Sequence, residues 1–137
     1  MKVPPDLLKR VRFWVEKAEN DFRNAEHTLT LTENCPFDTI CYHTQQGVEK
    51  YLKAIFVFHS IEFPKTNDLL LLLNFVPKEL SLNVEPADLL QLNRYSVEVR
   101  YPGDWEEITR EEAVGALLKA NKVREIIRSM LPAAAVP

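Results

Sequence analysis

The sequence predicts an all-α protein, an up-and-down bundle of four to five helices. Three observations carry that expectation. Apolar residues recur three and four apart over three long stretches, the period of one helix face. No segment alternates apolar and polar residues for long enough to form a strand. The breaks between periodic stretches fall on prolines and short polar runs, where helices stop.

Helix one is expected from about Asp6 to Leu31, with Pro5 at its first turn. Leu8, Val11, Val15, Ala18, Phe22, Ala25 and Leu29 make its apolar stripe, and Lys9, Arg12, Glu16, Glu19, Arg23 and Glu26 its other faces. "TENCPFD" breaks it. Helix two is expected from Phe37 or Asp38 to His59, with Asp38 as cap. Its stripe is Cys41, Gln45, Val48, Leu52 and Ile55, widened by Ile40, Tyr51 and Phe58. Thr66 or Asn67 is expected to cap a short helix three, "DLLLLLNFV", which ends before Pro77 and is apolar nearly all round. Helix four covers roughly Pro86 to Val97. Pro102-Gly103 suits the two central positions of a type II turn. Helix five opens on a capping box, Thr109 to Glu112, and stops at Pro132. Residues 1–131 are expected to form one domain, and residues 132–137 a disordered tail.

Composition narrows the function. Of 137 residues, 46% are apolar and 27% charged, which is the balance of a globular protein. The net charge of -3 supplies no general basic field for coating nucleic acid. Two cysteines suit a reducing cytoplasm, and the N-terminus lacks the apolar run of a signal peptide. "DLLLLLNF" is too short to cross a bilayer, so no membrane role is expected. Three scattered glycines cannot build a phosphate loop, so side chains must hold any nucleotide. Two cysteines and three separated histidines have no zinc spacing, and no cofactor or metal is expected.

Two places carry chemistry. On a helical wheel, His43, Gln46, Glu49, Lys50 and Lys53 gather opposite the stripe of helix two. They read either as a solvated face, with Glu49 and Lys53 as an i,i+4 ion pair, or as a working surface. Gln45 stands at the edge of the apolar stripe and needs a partner on a neighbouring element or a ligand. In "VEVRYPGDWEE", Arg100 can clasp a phosphate, while Tyr101 and Trp105 offer stacking faces. The alternative there is a packed turn, with Arg100 paired to a neighbouring acid.

"CYHTQQGVEKYLKAIFVFHSIEFPKTNDLLLLL", followed by "VEVRYPGDW", resembles the HEPN domain, the higher eukaryotes and prokaryotes nucleotide-binding family. The matching positions are Gln45 or Gln46, Glu49-Lys50, Leu52-Lys53-Ala54, Pro64, Asp68-Leu69 and Arg100-Tyr101-Pro102. Trp14, Ala18, Asp21 and Ala25 also fit the family's first helix. The likeness spans about residues 10 to 130. It implies a helical bundle that forms a homodimer and works beside a minimal nucleotidyltransferase, in a toxin–antitoxin-like pair. It also implies binding of nucleotide or RNA, for which Gln46, Glu49, Lys50, Lys53, Arg100 and Tyr101 are the candidate residues. Lys50, Lys53 and Arg100 would contact phosphate, and Tyr101 would stack.

Many members of that family are metal-independent ribonucleases that use an Arg and a His four to six residues apart. Here no His follows Arg94 or Arg100. Arg23 and His27 approach the pattern, but on helix one and with three residues between them. Asn67 stands where the family has a His before Asp-Leu, and an amide cannot serve as a base. No catalytic residue is therefore assigned. The alternatives to the binding reading are a ribonuclease toxin and a purely structural helical adaptor.

Overall fold

The computed structural model describes residues 3–96, 103 and 106–137. Helix α1 spans Pro5–Thr28, α2 Phe37–Phe58, α3 Leu69–Asn74, α4 Pro86–Leu92 and α5 Arg110–Met130. Single 3-10 turns cover Lys78–Leu80, Asn93–Tyr95 and Ala133–Ala135. Among the described residues there is no strand. The all-α bundle stands as expected. Arg100 and Tyr101, with Pro102 and Trp105, lie outside the described residues.

Helix α2 is the centre of the bundle. Residues 40 to 58 include none that is exposed. This corrects the solvated-face reading of its polar side: that side faces α1. The two helices run antiparallel, because Trp14 meets Lys53 while Asp21 meets His43 and Lys50. Their close approach rests on Gly47. A Cβ there would stand 2.6 and 2.7 Å from ring carbons of Phe22. That ring is 1% exposed and lies between Tyr51, with centroids 6.0 Å apart, and the Arg124 guanidinium, at 5.2 Å.

Helix α5 lies antiparallel to α1 and is fastened at both ends. Arg110, at its start, donates to the carbonyls of Leu29 and Leu31 at 2.9 and 2.7 Å. Helix α1 ends at Thr28 rather than Leu31, its last turn tightening as Thr30 and Leu31 N–H donate to the His27 and Thr28 carbonyls, and Arg110 holds the two carbonyls just beyond. Near its far end, Arg124 makes a two-pronged contact with Glu19 at 2.7 and 2.5 Å. Tyr51 donates its hydroxyl to the same carboxylate, and Arg128 donates to Tyr51 Oη at 3.0 Å. This knot joins α1, α2 and α5 through a tyrosine with no exposed surface. Burial alone would raise the Glu19 carboxyl, but the hydrogen bonds from Arg124 and Tyr51 and the two guanidinium charges outweigh it and lower it.

The short helices are set by their caps. Asp68, rather than Thr66 or Asn67, caps α3 by accepting from Leu70 and Leu71 N–H. Leu69 N–H goes to Asn93 Oδ1 at 2.8 Å, so all three leading donors are met. Asp38 does not cap α2; that helix begins at Phe37, after Pro36. Helix four stops as an α-helix at Leu92 and tightens into a 3-10 turn through Tyr95. Thr109 caps α5, and the Glu112 carboxylate takes the Tyr95 hydroxyl. Gly103 has φ of +89°, a value L side chains rarely adopt. The tail differs from the disorder expected of it. Ala135 is fully buried, and Arg12 donates to the Ala134 carbonyl at 3.0 Å.

Two outcomes follow. Gly47→Ala gains about 1 kcal/mol of helix propensity but overpacks the Phe22 ring, at a typical cost of about 1–3 kcal/mol. Chemical denaturation should show a net loss, and that loss should shrink in a Phe22→Leu background. A carboxyl lowered on folding stabilises above its unfolded value, near pH 4, and that contribution disappears as pH falls through the lowered folded value. Glu19→Gln should therefore flatten the acid side of the stability profile measured by denaturation from pH 7 to pH 3.

Candidate functional site

The antiparallel α1–α2 contact produces a polar seam with two separate parts. At the Asp21 end, His43 Nδ1 lies 2.9 Å from Asp21 Oδ1, and Lys50 Nζ lies 2.5 Å from Oδ2. Asp21 is 8% exposed, so this carboxylate is paired on both oxygens while nearly out of water. Lys50 is occupied holding it. Gln46 donates to Gln45 Oε1 at 2.8 Å, and the fully buried Gln45 donates to the Asn67 carbonyl at 2.8 Å. The amide at the edge of the stripe thus ties α2 to the loop before α3, which is one of the roles its position suggested.

At the other end the seam opens into a groove of about 720 Å³. Trp14 from α1 and Glu49 and Lys53 from α2 form one side. Phe63, Lys65, Thr66 and Asn67, from the loop between α2 and α3, form the other. Lys53 Nζ sits 5.4 Å from the centre of the Trp14 ring and 3.6 Å from the Glu49 carboxylate. The i,i+4 pair read from sequence is therefore present, though inside the bundle's flank rather than on an open face. Glu49 is 6% exposed. Its burial raises the carboxyl, and the charges of Lys53 and Lys50 oppose that without cancelling it. Phe63 stacks on Phe56 with centroids 5.2 Å apart. Lys65 is exposed at the rim.

The candidate residues therefore divide. Glu49 and Lys53 share the groove. Lys50 belongs to the Asp21 cluster, and Gln46 packs on Gln45. Arg23 and His27 are both exposed on α1, and Arg23 bonds Asn20 at 3.0 Å. Asn67 contributes its carbonyl to Gln45 and its amide to the Ser96 carbonyl, at 3.3 Å, which makes it a structural joint. Sequence reasoning missed Phe63, Lys65 and Thr66, because nothing in a short loop marks which helix end it folds against. Trp14 was visible only as a match to a first-helix pattern. Among the described residues no group of three or more His, Cys, Asp or Glu could hold a metal, and no helix is long and apolar enough to cross a membrane.

Comparison with known proteins places this arrangement. The model of the HEPN domain matches residues 11–130. A Methanocaldococcus jannaschii protein named "Putative toxin MJ1304" is 30% identical over 140 residues, covering 90% of each chain. The crystal structure of TT1696 from Thermus thermophilus superposes with a TM-score of 0.75 at 26% identity, covering 89% of this chain and 98% of that one.

One prediction separates the two parts of the seam. Lys50→Ala leaves Asp21 nearly buried with His43 as its remaining partner. Discounted for partial exposure, it should cost about 1–2 kcal/mol in a denaturation experiment.

Proposed function

This chain belongs to the HEPN domain family, and from that premise we propose that it is the helical member of a toxin–antitoxin-like pair with a minimal nucleotidyltransferase. In this reading it acts as a cytoplasmic homodimer, and its groove holds a nucleotide or the end of an RNA strand. The observation that carries the ligand is the pairing of Lys53 and Lys65 with Trp14 and Phe63 around one opening. Ammonium groups attract phosphate, and aromatic rings offer a surface to a base whatever its sequence. The naming of an archaeal relative as a toxin supports the class of role.

Within this reading Lys53 and Lys65 contact phosphate, and Glu49 faces the ligand from the floor. Arg100 and Tyr101 keep the roles their chemistry suggests, a phosphate clasp and a stacking face. Lys50 and Gln46 act at one remove, by holding Asp21 and Gln45 in the seam.

The test is calorimetric titration with ATP and with a short mixed-sequence single-stranded RNA, in the presence and absence of the nucleotidyltransferase. Lys53→Ala and Lys65→Ala should each weaken binding about tenfold, the weight of one hydrogen bond to a charged group. Absence of binding in both states would sink the ligand reading and leave the adaptor, whose work lies at protein interfaces.

A further inference from the structure

Helix α5 turns one line of residues to solvent: Glu111, Val114, Leu118, Lys122 and Glu125 are all exposed. That line is not uniformly polar. Val114 is 38% exposed and Leu118 61%, the most open large apolar side chain among the described residues. Gly115 stands between them. Glycine inside a helix weakens it, and nothing in this chain calls for one here. A Cβ at Gly115 would meet nothing outside its own stretch of helix within 4 Å, whereas Gly47 is demanded by the Phe22 ring. Beside Gly115 lies a hollow of about 300 Å³, bounded by Leu92, Tyr95 and Ala116. Helix α4, which borders it, presents Leu90 at 58% exposure.

Charge and spacing say what covers this face. Glu111 and Lys122 flank its apolar centre, roughly 16 Å apart along the axis. Among the described residues neither has an ion pair. The steps from Glu111 to Gly115, Leu118 and Lys122 are four, three and four residues, the same from either end. Laid antiparallel on a second α5, the helix sets Glu111 against Lys122 and Gly115 against Leu118, each pair twice. A surface that is its own complement about a two-fold axis is what an isologous dimer requires. Other registers lose the match. Centring on Leu118 opposes Glu111 to Glu125, and centring between Lys122 and Glu125 moves Leu118 onto Ser129. An unrelated partner has no reason to carry the same order in reverse.

Resting on the homodimer reading above, we propose that the exposed face of α5 is the dimer interface and that its occupant is α5 of a second copy. The two-fold axis passes level with Ala116 and Leu117. Leu118 of each copy packs over Gly115 of the other, into the hollow that α4 borders, and Glu111 of each pairs with the other's Lys122. The absent Cβ lets the helices approach within the usual 8–10 Å. The buried leucines hold the copies together, while the ion pairs, near the rim, fix the register.

The test is sedimentation equilibrium of the full chain over a range of concentrations, with circular dichroism to check each variant's fold. The unaltered chain should sediment as two copies and Leu118→Glu as one. Glu111→Lys and Lys122→Glu should each weaken the dimer about tenfold, because each sets like charges together at two places. The double variant, Glu111→Lys with Lys122→Glu, should regain the original affinity. All these side chains are exposed, so the fold should survive every change. A dimer indifferent to Leu118→Glu would overturn this interface while leaving the homodimer reading intact. Single variants that weaken the dimer without rescue in the double would overturn the antiparallel pairing. An unaltered chain that sediments as one copy would remove the homodimer reading and the interface with it.

Discussion

The contact between Phe22 and Gly47 sets the distance between α1 and α2, and the remaining geometry depends on that distance. With the ring seated where a side chain would otherwise stand, the backbones come close enough for short polar side chains to meet across the seam. Asp21 can then reach His43 and Lys50, and Tyr51 can reach Glu19. A wider spacing would leave those groups half-desolvated and unpaired, a worse state than either full burial or full exposure. The same ring is backed by Arg124, so the seating of Phe22 also fixes where α5 lies.

The fold was legible because its signals are local and periodic. Stripes three and four apart, the Thr109 cap and the prolines at helix ends speak within a few residues of where they act. The departures come from contacts made across the chain. Just past the end of α1, Arg110, far along the sequence, takes the carbonyls of Leu29 and Leu31. The tail docks because Arg12 offers donors to the Ala134 carbonyl and Ala135 joins the buried core. No window of neighbouring residues contains either fact.

The site was legible in part, and the error has a physical reason. A wheel drawn for α2 separates apolar from polar residues and assigns the polar side to water. That inference fails for a helix surrounded by others, where both sides are covered and the polar side must find protein partners. Lys and Glu at buried positions are acceptable when each has a counter-charge, and α1 supplies Asp21. What the wheel could not show is that α1 carries an acid at one height and a tryptophan at another. That difference closes the seam at Lys50 and opens it at Lys53.

Two lysines three residues apart on one helix therefore face different fates. Lys50 Nζ is 2.5 Å from a nearly buried carboxylate, and pulling it away would strand that charge. Lys53 is 3.6 Å from Glu49 and lies over an aromatic ring, a looser arrangement at the edge of the groove. Tight pairing makes a residue structural, and loose pairing at a groove leaves free energy to be gained on binding.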